Sequence, residues 1–413
     1  MFRPIQVYLD SSDYSNFASH QDNPEISSIY DFLLHSVRAG HIEIRYSAIH
    51  ISEAAGVNVQ YQDAALARAL AIESLSNNKC VLEPYAVWNA EMAQISSNSG
   101  AVSTVGVKEK IFRNDGIWFS DAISLDIPPI AELVQQAVSE ALDAPRTISR
   151  TEFRKRFSLI YKKGKLTKTG TNLILNGSDN FPYFLDRSIV SDWLTGKLLH
   201  KQFCLHLSTQ LCRPSVFIAL TGGNPDHTAT VKSLSSFLSA NLIDAYKKLH
   251  YLLDEFRLCS TASNSLGLNS REIGKMSPEG VQAKIRDKLA MKLGIDASDN
   301  GLATFDFPSL DFISSVFANH LTQFISTYKD GSIPKRAKNP DASASDSGDI
   351  LHLAYAPYFD LFRCDSYFAD ISRKSGAAHS THIIPKLREL PNAISARLQA
   401  IESLGHQTQS AIK

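Results

Sequence analysis

The sequence predicts an α/β fold with a mainly parallel sheet, interrupted by a large, mostly helical insertion. Two observations predict it. Short apolar runs of strand length alternate with helix-length segments near both ends of the chain. That alternation stops near Ile95 and resumes only near Ser345, which divides the chain into 1–94, an insertion over 95–344, and 345–413.

Ile5-Gln-Val-Tyr-Leu9 reads as a buried strand that runs into Asp10. A helix is expected from Pro24, with Asn23 as its N-cap, Ile26, Ile29, Phe32 and Leu33 on one face, and Arg38-Ala-Gly40 as its end. Residues 42–46 read as a second strand, and Ser47 as the cap of a helix carrying Glu53. Ala64, Leu66, Leu70, Ile72 and Leu75 predict a helix over 61–76, and Cys80-Val-Leu82 a short strand. These strands are expected side by side with 361–364 in one sheet, since strand-helix-strand units join parallel strands.

Within the insertion, helices are expected over 129–142, 186–210, 230–258, 279–293 and 309–327. Lys329 to Gly348 is rich in Gly, Pro, Ser, Asp and Lys, as linkers are. After it come a helix over 349–356, a strand over 361–364, a helix near 366–373, a strand at His382-Ile-Ile384 and a helix over 390–404.

The 413 residues are long enough for two or three domains, and their 44% hydrophobic and 20% charged content is that of a globular protein. The formal net charge is zero, so attraction to nucleic acid would have to come from local patches. Five cysteines, without a C-x-x-C pair, read as reduced thiols in the cytoplasm rather than a disulfide framework or zinc site. No apolar run approaches the roughly 18 residues of a membrane span, and a strand from Ile5 leaves no room for a leader.

Four acids stand beside these elements: Asp10 after the first strand, Glu53 past the second, Asp349 at the start of an apolar run, and Asp365 after Leu361-Phe-Arg-Cys. Open α/β sheets build their sites at the C-terminal ends of strands. Carboxylates gathered in one crevice repel each other unless a hard divalent cation neutralises them, so the pattern points to Mg²⁺ or Mn²⁺ and to phosphodiester hydrolysis. Asp346 competes with Asp349 both for a helix cap and for metal. Taken singly, Asp10 could cap a turn and Asp365 could be a turn residue. Asp13, three residues beyond Asp10, stands too far along for the two-aspartate motif of some phosphatases.

Val7-Tyr-Leu-Asp10-Ser-Ser12, Ser52-Glu53, Asp349-Ile-Leu-His-Leu-Ala354 and Arg363-Cys-Asp365-Ser-Tyr-Phe368, in this order, resemble the PIN-domain ribonucleases. Arg363 stands where that family usually has a hydroxyl residue. The resemblance implies a PIN-like three-layer sandwich with Asp10, Glu53, Asp349 and Asp365 as catalytic metal ligands, Asp346 close by, and an endoribonuclease acting on RNA. An alternative is a catalytically weak PIN-like module that serves nucleic-acid binding or protein scaffolding. The insertion could also seat a regulatory protein.

Residues 146–168 hold nine basic residues against Glu152, interleaved with Phe153, Phe157 and Tyr161. Arg154, Lys155, Arg156, Lys162 and Lys163 are the candidate nucleic-acid contacts, because cations compensate phosphates and aromatics stack on bases. The bland reading is a helix with a solvated basic face. His20, His41, His50 and His352 lie near the acids in sequence without zinc spacing, and read as packing residues.

Overall fold

The computed structural model describes residues 3–54, 59–97, 102–119, 149–162, 165–177, 185–223, 352–374 and 381–411, with isolated positions between 128 and 136 and between 279 and 319. Two compact units are present, Met1–Trp118 with Ile218–Lys413, and Phe119–Phe217. In chain order the elements are β1 (Ile5–Tyr8), α1 (Ser11–Ala18), α2 (Pro24–Arg38), β2 (Ile42–Ile44), α3 (Ala48–Ala54), α4 (Gln62–Ser76), β3 (Cys80–Val81), α5 (Pro84–Ser97), α6 (Thr104–Ile111) and β4 (Phe112–Arg113). Then follow α7 (Arg150–Ile160), β5 (Tyr161–Lys162), β6 (Lys165–Leu166), α8 (Lys168–Gly177), α9 (Arg187–Leu194), α10 (His200–Leu211) and α11 (Pro214–Gly223). The chain closes with a 3₁₀ stretch (Leu353–Tyr358), β7 (Leu361–Arg363), α12 (Ser366–Lys374), β8 (His382–Ile384) and α13 (Leu390–Ala411).

The first unit is mixed α/β around a four-stranded sheet of order β2-β1-β7-β8, with every pairing parallel. Val7 stands opposite Ile44 on one side and Leu361 on the other. All four residues of β1 are buried, which is why it reads as an unbroken apolar run with one exception, Gln6. Gln6 is satisfied in place: its amide oxygen accepts from Arg45 Nε at 3.0 Å and its amide nitrogen donates to Glu43 Oε2 at 3.1 Å. Tyr8 sits at the centre of the core, stacked on Phe362 with ring centroids 4.8 Å apart.

The expected strand at Cys80 forms but does not join the sheet as a full member. β3 pairs antiparallel with β4 and touches β2's extension through a single parallel bridge, Tyr46 to Cys80, with Val81 N–H donating to Tyr46 O at 2.8 Å. Two residues are too few for a ladder on both sides. The buried Arg45 side chain holds this edge instead, donating to Arg113 O at 2.8 Å and lying 4.5 Å over the Phe112 ring.

Helix α2 follows expectation closely. Asn23 accepts from Glu25 N and Ile26 N, and the chain leaves the helix through Gly40 at φ +72°, the left-handed region glycine adopts without strain. Helix α1 has no counterpart among the sequence-based expectations. Its residues are mostly polar, and only Asp13, Tyr14 and Phe17 are buried, so no apolar period announces it.

Of the residues assigned by sequence to the insertion, 102–118 and the described positions between 307 and 319 pack into the first unit. Phe312, Ile313 and Val316 join Phe362 and Phe368 in one core cluster, and buried Glu91 of α5 accepts from Ser309 N at 2.9 Å and Ser309 Oγ at 2.8 Å. The second unit is built from helices and the short β5–β6 hairpin around Trp193 and Phe203. The single helix expected over 186–210 is two, because Gly196 turns at φ +75° and Lys197 and Leu198 bond back to Asp192 O. The expected helices over 230–258, and most of 129–142 and 279–293, lie outside the described residues. Among the described residues no helix is long and apolar enough to cross a membrane.

Candidate functional site

From β1 the chain moves through its helices to β2 on one side, and from β7 it moves to β8 on the other. The strand order therefore reverses between β1 and β7, the place where open α/β sheets open a crevice beyond the strands' C-terminal ends. Asp10 stands two residues past the end of β1 and Asp365 two past the end of β7, and Tyr8 and Phe362 are paired across these neighbouring strands. Each aspartate caps the helix that follows. Asp10 Oδ1 accepts from Ser12 N at 2.8 Å, and Asp365 Oδ1 accepts from Phe368 N at 2.7 Å.

Asp10 is also fixed from the other direction. Its backbone N–H donates to Asp13 Oδ2 at 3.1 Å, which completes a capping box. Asp13 is fully buried and faces Arg363 Nη2 at 3.1 Å. Burial pushes the Asp13 carboxyl up to about 7 against the pull of the Arg363 guanidinium. Arg363, which replaces the hydroxyl expected at the end of β7, thus turns inward and pins the first turn of α1, and through it the backbone of Asp10.

Glu53 ends α3 at the rim of a cleft of about 120 Å³ between α1, α3 and α4. Its Oε2 lies 3.4 Å from His352 Nε2, and Ser11 Oγ lies 3.2 Å from the same nitrogen. Burial would raise the Glu53 carboxyl, but His352 and the hydrogen bonds from His352 and Ser11 hold it down to about 2, so it is ionised at neutral pH. With 35% of its side chain exposed, it still meets solvent.

Behind the carboxylate runs a buried polar chain. His352 Nδ1 lies 2.6 Å from the Tyr8 hydroxyl, which lies 2.8 Å from Ser47 Oγ. Ser47 N–H donates to His50 Nδ1 at 3.0 Å, so the His50 proton sits on Nε2 and is donated to Leu9 O at 2.9 Å. Burial, reinforced by His352, pushes the His50 ring down to about 3, and it stays neutral. Ser47 stands at the expected N-cap position of α3, its carbonyl accepting from Ile51 N at 3.4 Å, while its hydroxyl turns inward to Tyr8 and His50. His50 and His352 are buried against Tyr8, as the packing reading expects, and they also link Glu53 to the end of β1, across about 300 positions in the chain. No local sequence signal could join His352 to Glu53. Tyr14 and Arg68, which also line the cleft, were not singled out by the sequence.

Asp10, Glu53 and Asp365 are all oxygen donors, the type that a hard divalent cation takes. Among the described residues, however, no group of three His, Cys, Asp or Glu is arranged to hold a metal. Asp349 and Asp346 lie outside the described residues. Of the basic segment, Lys155 is exposed on α7, whose N-cap is Ser149. The side chains of Arg154, Arg156 and Lys162, and the whole of Lys163, lie outside the described residues.

No family model matches this chain, and neither a curated protein nor a solved structure is significantly similar to it.

Proposed function

We propose that this chain is a PIN-like, Mg²⁺- or Mn²⁺-dependent nuclease that cleaves RNA internally, with Asp10, Glu53, Asp349 and Asp365 as the cation's ligands. The observation that carries the reading is the placement of Asp10 and Asp365 at one edge of the sheet, past the ends of adjacent parallel strands where the strand order reverses. Glu53, ionised and solvent-facing, adds a carboxylate on the neighbouring α3. Asp10, Glu53, Asp349 and Asp365 would hold the cation, which would supply Lewis-acid chemistry: a lowered pKa for a bound water and neutralised charge on phosphate.

The chain's own residues supply position and charge. The caps on α1 and α12 and the Asp13–Arg363 pair fix the two aspartates on rigid elements. Ser11 and His352 hold Glu53 deprotonated, as a cation ligand must be. The test is cleavage of a labelled RNA in Mn²⁺ by wild type, Asp10→Asn and Asp365→Asn. Asn keeps the helix cap and removes the charge, so both variants should fold and lose cleavage. A variant that cuts at the wild-type rate removes that aspartate from the mechanism.

The commitment of Asp10 Oδ1 and Asp365 Oδ1 to helix caps favours a second reading, a PIN-like module that binds nucleic acid or a protein without cutting. Wild-type protein that binds the labelled RNA yet leaves it intact in Mg²⁺ and in Mn²⁺ would select it.

A further inference from the structure

Packing alone does not explain why Tyr8 is a tyrosine. Its ring lies at the centre of the core, stacked on Phe362 with centroids 4.8 Å apart, a space that phenylalanine would fill as well. A buried hydroxyl is costly unless it is hydrogen-bonded. This one lies 2.6 Å from His352 Nδ1 and 2.8 Å from Ser47 Oγ. Burial pushes the phenol well above its ordinary range, so the hydroxyl keeps its proton.

Counting protons along this chain of side chains gives its direction. Three contacts link four residues: His352 Nδ1 to Tyr8, Tyr8 to Ser47 Oγ, and Ser47 Oγ to His50 Nδ1 at 3.1 Å. His50 Nδ1 takes the Ser47 N–H at 3.0 Å and can only accept. Each hydroxyl brings one proton, so the two hydroxyls cannot supply all three contacts. The remaining proton comes from His352 Nδ1. Ser47 then donates to His50, Tyr8 to Ser47, and His352 to Tyr8. The far nitrogen of the same ring, Nε2, stands 3.4 Å from Glu53 Oε2 and 3.2 Å from Ser11 Oγ. An ionised carboxylate can only accept, so Nε2 donates to it. With Nδ1 anchored in the core, the ring cannot turn away from Glu53.

We infer that Tyr8 is a positioning residue for Glu53: its hydroxyl anchors the His352 ring in the core, and the ring holds the carboxylate at the rim of the cleft. The inference rests on the nuclease reading only for what Glu53 then holds; the geometry of the chain of hydrogen bonds stands without it. Glu53 ends α3, a helix of seven residues, and its side chain meets solvent. A glutamate in that setting has three rotatable bonds and samples many rotamers unless something fixes it. Tyr8 belongs to β1 and His352 to the segment before β7, so the assembled sheet itself sets where the carboxylate stands.

The test is nuclear magnetic resonance on the full chain without metal, with isotope-labelled histidine and glutamate. In wild type the His352 Nδ1 proton should give a slowly exchanging signal, and carbon relaxation should show a rigid Glu53 side chain. Tyr8→Phe keeps the ring and its stacking. It should abolish that slow exchange and loosen Glu53. Phe362→Leu is the control: it disturbs the stack and lowers the melting temperature, and should leave Glu53 rigid. Ser47→Ala breaks the same chain one link further from Glu53 and gives the same readout, smaller, should Tyr8→Phe fail to fold. A second arm titrates Mn²⁺ into the same proteins by calorimetry. Tyr8→Phe should weaken Mn²⁺ binding about ten- to hundredfold, the usual cost of losing a group that orients a ligand, and Phe362→Leu should not.

A Glu53 side chain as mobile in wild type as in Tyr8→Phe, equal loosening in Phe362→Leu, or a His352 Nδ1 without a proton overturns the inference. Loosening of Glu53 in Tyr8→Phe alone, with Mn²⁺ binding unchanged by it or absent in wild type, would instead remove Glu53 from the nuclease reading and leave the positioning role of Tyr8 in place.

Discussion

Replacing Arg363 with Met tests how the sheet's edge is held. Asp13 is fully buried at 3.1 Å from Arg363, so the substitution leaves a carboxylate inside the protein without its cation. Removing one partner of a buried pair costs about 3–5 kcal/mol. The sign of the pH dependence follows from Asp13, whose carboxyl is raised from 3.8 to about 7 by burial. A raised carboxyl stabilises the fold fully below its unfolded value and loses that contribution as pH rises through its folded value, a span worth about 4 kcal/mol here. Loss of Arg363 moves the folded value higher still. The cost of Arg363→Met should therefore be largest near pH 8 and fall toward about 1–2 kcal/mol near pH 5, where a protonated Asp13 needs a hydrogen bond rather than a counterion. Urea unfolding followed by circular dichroism at both pH values measures it. The double variant Asp13→Asn with Arg363→Met should recover much of the loss. Equal costs at pH 5 and pH 8, or additive single-variant effects, would refute the pairing argument.

Two further outcomes are expected. Glu91 is buried and raised from 4.5 to about 7 by burial, against the hydrogen bonds of Tyr358 and Ser309, so its stabilising contribution is complete below pH 4.5 and lost as pH rises through 7. Glu91→Gln should flatten the stability profile between pH 5 and pH 8 relative to wild type, read by thermal melts across that range. Replacing Arg154, Lys155 and Arg156 together with Ala should flatten the salt dependence of oligonucleotide binding by up to about 0.7 log units of slope per lost phosphate contact on a single strand. A salt titration with unchanged slope would mark the segment as a solvated helix face.

Much of the framework was legible in the sequence because it rests on local signals. The strands at 5–8, 42–44, 361–363 and 382–384 are short apolar runs, and α2 carries its cap, its apolar face and its terminal glycine within 18 residues. The positions of Asp10 and Asp365 just past two of those strands follow from the same runs. Which strands are neighbours is another matter. β1 and β7 pair across about 350 residues, and no periodicity within either reports that choice.

The sequence by itself determined where carboxylates leave strands; tertiary structure decided what each then does. Asp13 and Arg363 look like a stray acid and a misplaced cation in the sequence, and become one buried pair because β7 lies beside β1. His352 joins Glu53 and Tyr8 for the same reason. Helix α1 was hidden, since its stability comes from its Asp10–Asp13 capping box and the burial of Tyr14 and Phe17 rather than from an apolar stripe. Local propensity and burial period are written residue by residue along the chain. Ion pairing, desolvation and cleft geometry depend on distances between segments, and those exist only once the sheet has assembled.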